Sequence, residues 1–146
     1  MKRKLLFAGI AGIAVFSLIV FWNSRFLGNA YHVHQNFHDT AKFSGAEQTE
    51  AAESVKKKFR DFHGCTLTDL WYDVKMDYPA DSVETSDQSF IPKGTKGKSI
   101  MLLLSNFRTP VGGSATMQPD TVMSDYQWWL IRDSRGKWEV VSYGYG

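Results

Sequence analysis

Asp69, Asp73 and Asp77 recur at every fourth residue. On a helix this spacing would stack the carboxylates on one face, where they could hold a metal or share a proton. The neighbouring residues argue for a strand instead. Leu70, Tyr72, Val74, Met76 and Tyr78 alternate with Asp73, Lys75 and Asp77, the period-two pattern of a half-buried strand. On a strand Asp73 and Asp77 share a face but stand about 13 Å apart at roughly 3.3 Å per residue. That is too far for a shared metal or an acid/base pair. His63 and Cys65 are close in sequence, but a Cys/His nucleophile needs contact and an orienting third group. Burial as a small hydrophobe is the expectation for Cys65. His34 and His38 would share a face only on a helix, with Asp39 as the one nearby acid, and they read as solvated. Asp81, Glu84 and Asp87 lack the glycine and ligand spacing of a calcium loop. No GxSxG elbow, phosphate loop or zinc-finger spacing occurs. These residues predict no catalytic residue, no metal site and no cofactor.

Aromatics carry more promise. Trp71, Tyr72, Trp128, Trp129 and Trp138 place adjacent rings within strand patterns. Successive strand residues point to opposite faces, so some of these rings face away from the covering helix. Most belong to a core. Trp71 and Trp129 fall on the alternate face, and with Asp73 they are the residues expected to meet a ligand or partner.

Several elements must position these side chains. Ser44-Gly-Ala-Glu47 reads as a capping box that opens a helix. Ala52, Val55, Phe59 and Phe62 form its apolar stripe. Glu47, Glu50 and Glu53 come early and Lys56, Lys57, Lys58 and Arg60 late, which suits the helix dipole. Glu53 and Lys57 form an expected i,i+4 pair, and Gly64 supplies the stop. The lysine run reads as a solvated helix face. The strand around Leu70–Tyr78 is out of phase with Leu67, which predicts a bulge near Asp69. Residues 79–98 read as a long polar loop with a short strand around Phe90 and Ile91. Ser99–Phe107 is a continuous apolar strand, and 109–123 a second loop. Tyr126–Arg132 and Trp138–Tyr143 flank Asp133-Ser-Arg-Gly136, a hairpin signal. In it Tyr126, Trp128 and Leu130 face one way, and Gln127, Trp129 and Ile131 the other.

Residues 5–22 form an apolar run of 18 residues whose only polar member is Ser17. As a helix it would measure about 27 Å against a hydrocarbon core of about 30 Å. Lys2, Arg3 and Lys4 precede it and only Arg25 follows closely, so the N-terminus is expected inside and the C-terminal domain outside. The alternative is a signal peptide cleaved after Ala30, giving a secreted domain. The only cysteine is Cys65, so a lipid-modified N-terminus and an internal disulfide are both excluded. Four of the 17 basic residues and none of the 15 acidic ones lie in the first 30 positions, leaving 13 basic against 15 acidic residues, a net −2. The formal +2 of the whole chain therefore belongs to its membrane end and gives no support to nucleic-acid binding. The organisation expected is a membrane segment at 1–22, a juxtamembrane stalk at 23–43 and a single domain at 44–146.

Two stretches, Gly64-Cys-Thr-Leu-Thr-Asp-Leu-Trp-Tyr-Asp73 and the aromatic hairpin from Tyr126 to Gly146, resemble a group of small extracytoplasmic bacterial domains of unknown function. That group is similar to the nuclear transport factor 2-like, or cystatin-like, α+β cone. The resemblance covers residues 44–146, and members of the broader fold often carry more N-terminal helices than the single one read here. It implies an α+β fold, one amphipathic helix on a curved antiparallel sheet of about four strands. It assigns no chemistry, because the superfamily spans enzymes and non-catalytic pockets. The expected function is non-enzymatic binding of a small molecule or protein by a membrane-anchored domain. The alternatives are a cone enzyme using Asp73 or His63 as acid/base, and a structural subunit of an envelope assembly.

Overall fold

A computed structural model describes residues 27–76, 100–113 and 116–145. The apolar run at 5–22, the loop at 79–98 and the acids Asp77, Asp81, Glu84 and Asp87 lie outside the described residues. No helix among the described residues is long and apolar enough to cross a membrane.

The main helix, α1, spans Gly45–Phe59. It opens with the expected capping box. Glu47 N–H donates to Ser44 Oγ at 3.2 Å, and Ser44 N–H donates to Glu47 Oε2 at 2.9 Å. Its buried face is Gln48, Ala51, Ala52, Val55 and Phe59. The surface pairs differ from the expectation: Glu53 pairs with Lys56 at 2.6 Å, and Lys58 with Asp61 at 3.0 Å. The stop differs too. α1 caps at Arg60, and tight turns then bring Phe62 N–H to Phe59 O and Cys65 N–H to Phe62 O. Gly64 lies in the second of these turns, past the helix end.

The sheet holds β1 (His34–Asn36), β2 (Thr66–Tyr72), β3 (Ile100–Arg108), β4 (Val122–Arg132) and β5 (Trp138–Gly144), in that spatial order. β1 runs parallel to β2, with α1 as the crossover, and the other pairs are antiparallel. The fold is therefore α+β with one helix on a five-stranded mixed sheet, where about four antiparallel strands were expected. The added strand comes from the segment read as a stalk. β1 is three exposed residues, His-Gln-Asn, without an apolar alternation to announce it. Short polar strands are what exposed sheet edges tolerate. The same segment bridges Asn29 to Thr66 and sends Phe43 into the core.

Two strand ends also moved. β2 stops at Tyr72, because Asp73 Oδ1 accepts from Lys75 N–H at 2.9 Å and turns the chain into a 3-10 segment, Val74–Met76. β4 begins at Val122, inside the expected second loop. The predicted bulge near Asp69 is present, with Thr68 as the extra residue opposite the Asn106–Phe107 step of β3. A second bulge sits across the same step on β4, at Asp125 with φ +54. Asn106 joins the two. Its carbonyl accepts from the Thr68 hydroxyl at 3.1 Å and its Oδ1 accepts from Asp125 N–H at 3.2 Å. The β4–β5 hairpin closes as read: Asp133 N–H donates to Lys137 O at 2.8 Å, with Gly136 at φ +81 in the turn.

The two faces of β4 divide as expected. Tyr126, Trp128 and Leu130 face α1 and join Leu67, Leu70, Leu103 and Phe107. Trp129 and Ile131 pack on the other face with Ile100 and Leu102. The α1 backbone comes nearest to β5 and β2, while Trp128 and Phe107 fill the space over the strands between. Ser54 Oγ ties α1 to β5 by donating to Trp138 O at 2.7 Å. The one buried indole N–H over the sheet centre, that of Trp128, donates to Ser105 Oγ at 2.8 Å.

Arg132 closes the other end. Its guanidinium donates to Glu47 Oε1 at 2.7 Å and stacks 4.7 Å from the Trp138 ring centre. The Ser44 N–H, and after it Arg132, hold the Glu47 carboxyl below the usual glutamate range. A folded pKa below the unfolded one stabilises above the ordinary glutamate range, and the stabilisation is lost as pH falls below it. The stability gap between the wild type and Glu47→Gln is therefore expected to shrink from pH 6 to pH 3, measured by urea unfolding. A gap that stays constant would remove the charge from this joint.

Gly28 shows why the supposed stalk is part of the domain. Its N–H donates to Arg60 O at 3.0 Å, satisfying a carbonyl at the α1 end. A Cβ at this position would lie 2.0 Å from Phe59 O. Gly28→Ala is expected to cost roughly 2 kcal/mol, within the overpacking range. An unchanged urea midpoint would mean that this segment hangs free.

Candidate functional site

Trp71, Asp73 and Trp129 do not form one site. Trp71 is half-buried on the sheet face away from α1, in register with Leu104, which is itself opposite Gln127. Trp129 is one alternation further along that face, opposite Leu102, and its Nε1–H donates to Gln127 Oε1 at 3.3 Å. At 3 % exposure its contribution is packing. Asp73 is occupied by the turn that ends β2. Trp71 instead borders a depression of about 300 Å³ with His34, Asn36, Asp69 and Asn106. There the Asp69 carboxylate accepts from the Thr68 hydroxyl at 2.7 Å and lies 3.7 Å from His34 Nδ1. Among the described residues no three His, Cys, Asp or Glu side chains gather as metal ligands.

The His63–Cys65 neighbourhood resolves in favour of packing. Cys65 is 1 % exposed, and burial pushes its thiol pKa up. A protonated, buried thiol is a poor nucleophile. Its backbone carbonyl takes the Asn29 N–H at 2.8 Å. His63 is exposed and lines a larger concavity.

That concavity, of about 730 Å³, is lined largely by apolar and aromatic side chains, as ligand clefts are. The turns after α1 form one wall with Phe62 and His63. The loop after β3 forms the second with Pro110 and Met117, and the β4–β5 hairpin forms the floor with Tyr126 and Tyr143. The rings interlock largely edge to face. Phe62 meets Tyr126 at 5.9 Å and Tyr143 at 5.5 Å, and Tyr126 meets Tyr145 at 5.2 Å. Such contacts stiffen a wall at low entropic cost. Tyr143 and Tyr145 remain 43 % and 57 % exposed, an aromatic surface open to solvent. Burial first, then Tyr143 and Tyr145, push the Tyr126 phenol to about 12. It is a neutral hydroxyl at every physiological pH. An apolar floor with hydroxyls, the His63 imidazole and the Asp61 carboxylate at the rim can grip an apolar group and orient it.

Sequence reasoning missed this cleft, because its walls come from residues 61–65, from Pro110, Gly113, Thr116 and Met117, and from Tyr126 and Tyr143. The usable signal was the Tyr143-Gly-Tyr145 alternation, which continues the Tyr126 face across the hairpin. No protein family, curated protein or solved structure matches the chain.

A second set of polar atoms sits at the opposite end of α1. Gln48 Oε1, Tyr72 OH, Trp138 Nε1 and Arg132 Nε are buried with no hydrogen-bond partner among the described residues. Phe43 lies in their midst. Its ring meets those of Tyr72 at 5.7 Å and Trp138 at 5.6 Å, and its carbonyl accepts from Gln48 Nε2 at 3.3 Å. Removing a buried hydroxyl that has no partner costs nothing in hydrogen bonding. Tyr72→Phe is expected to leave stability unchanged or raise it by up to about 1 kcal/mol. A loss of that size in urea unfolding would mean that the hydroxyl is bonded.

Proposed function

We propose that this chain is a non-enzymatic recognition domain, tethered outside the cytoplasm by residues 5–22, that holds an apolar segment of a protein partner in the Phe62–Tyr126–Tyr143 cleft. The observation that carries this reading is the contrast between interior and surface. Between α1 and the sheet, Phe59, Phe107, Trp128 and Leu103 are fully buried and fill the space a catalytic cone would need. The open aromatic concavity lies outside that space, beside the end of the helix.

The groups able to do acid/base chemistry support the same reading. Asp73 holds a turn, His63 is exposed, and Cys65 beside it in sequence is a buried thiol whose pKa burial pushes up. The kinship with the cone fold belongs to this proposal as well. It is supported by a helix laid nearest to β2 and β5, with large side chains of β3 and β4 filling the middle. The tether rests on the length of the apolar run and the charges in front of it.

Selection of phage-displayed peptides on the full chain in phosphatidylcholine nanodiscs tests the cleft. Enriched peptides are expected to share an apolar or aromatic anchor and to bind Thr116→Arg at least tenfold more weakly. Thr116 is an exposed rim residue, so the substitution leaves the core intact. Peptides that bind Thr116→Arg as well as the wild type would overturn the assignment.

A further inference from the structure

A second concavity, of about 710 Å³, lies on the other side of Gly64 and Cys65. Its walls are Leu27 to Tyr31 on one side and Glu53, Lys56, Lys57 and Arg60 of the α1 end on the other. Lys56 is paired with Glu53 at 2.6 Å. Lys57 and Arg60 are exposed and have no carboxylate partner among the described residues. The two walls are pinned together, since Gly28 N–H donates to Arg60 O and Asn29 N–H to Cys65 O. Tyr31 stands beside them, 86 % exposed.

The position of this groove along the chain gives it meaning. The apolar run ends at Trp22 and the folded domain begins by Leu27. Five Cα steps separate them, at most about 18 Å of chain however residues 23–26 are arranged. β1 and the Asn29–Thr66 bridge tie residues 29–36 of the segment read as a stalk to the sheet, which leaves residues 23–26 as the link. The basic end of α1 is thus confined to the depth of the lipid headgroups, whereas Lys137, in the hairpin turn before Trp138, lies outside the groove. Unpaired Lys and Arg with an exposed Tyr suit a headgroup layer.

We propose that the groove formed by Lys57, Arg60 and Tyr31 faces the bilayer and binds the phosphates of anionic lipid headgroups. This rests on the tether reading above. The domain is thereby fixed in orientation on the membrane as well as attached to it.

Lysine footprinting of the full chain in nanodiscs tests this. Water-soluble acylation is read by mass spectrometry in phosphatidylcholine discs and in discs also containing phosphatidylglycerol. Acylation of Lys56 and Lys57 is expected to fall about threefold or more in the anionic discs, with Lys137 unchanged, and high salt is expected to restore it. In Lys57→Gln/Arg60→Gln the protection of Lys56 should be lost; both side chains are exposed, so the fold is retained. Equal labelling in the two lipids overturns the proposal. So does equal protection by inorganic phosphate added to the zwitterionic discs, which would mark a site for the free ion. Failure of the tether reading shows separately: a chain that does not float with vesicles of either composition overturns both.

Discussion

Two phenylalanines at the end of one helix hold this domain together. Among the described residues one α-helix covers the inner face of a five-stranded sheet, and two of the three side chains buried in its first half, Gln48, Ala51 and Ala52, are small. Ala51 and Ala52 let that half sit close, while Phe59 and Phe62 supply bulk at the other half. Phe59 and Phe62 stack at 5.1 Å, and both reach Phe107 and Trp128. Phe62 is not helical. It is returned to the core by the turn in which its N–H donates to Phe59 O. That turn decides where the chain leaves the helix. It therefore sets both concavities, which share Gly64 and Cys65 as their common ridge.

Much of this was legible where the signal is local. The capping box at Ser44 and Glu47 needs four consecutive residues. The β4–β5 hairpin announces itself by alternation and a glycine turn, and the bulge at Thr68 by a flip of phase between Leu67 and Leu70. What was hidden depends on distant partners. β1 carries no apolar pattern and exists because β2 offers it a parallel edge. β2 ends early because the Asp73 side chain competes for a backbone N–H, which alternation cannot reveal. The faces of Trp71 and Trp129 followed from period two, but their burial did not. The cleft was the least legible part, since no single segment contains two of its walls.

The polar residues that first invited chemical readings serve mostly as joints. Asp69 ties Thr68 to Asn106 beside one bulge. Asp120 pairs with Arg108 at 2.7 Å and Asp133 organises the hairpin turn. Glu47 caps a helix while gripping Arg132 from a strand far away in sequence. The bonds to Glu47, Asp120 and Asp133 lower the pKa of each and favour its ionised form. Of the two concavities, one is lined by aromatic rings and the other carries Lys56, Lys57 and Arg60. They occupy opposite flanks of the same turn.

The hydrogen bonds of residues 28 and 29 have a mechanical consequence. On the tethered reading, any pull between the bilayer and a bound partner enters the domain at Leu27. The first bonds to bear it are Gly28 to Arg60, Asn29 to Cys65, and Leu67 to Asn29, at 3.0, 2.8 and 2.8 Å. They anchor to the α1 end and to β2, on both sides of the ridge between the cleft and the groove. Tension would load that ridge before it reached the rest of the sheet. On that reading the grip on a partner and the load on the anchor would share one short stretch of backbone.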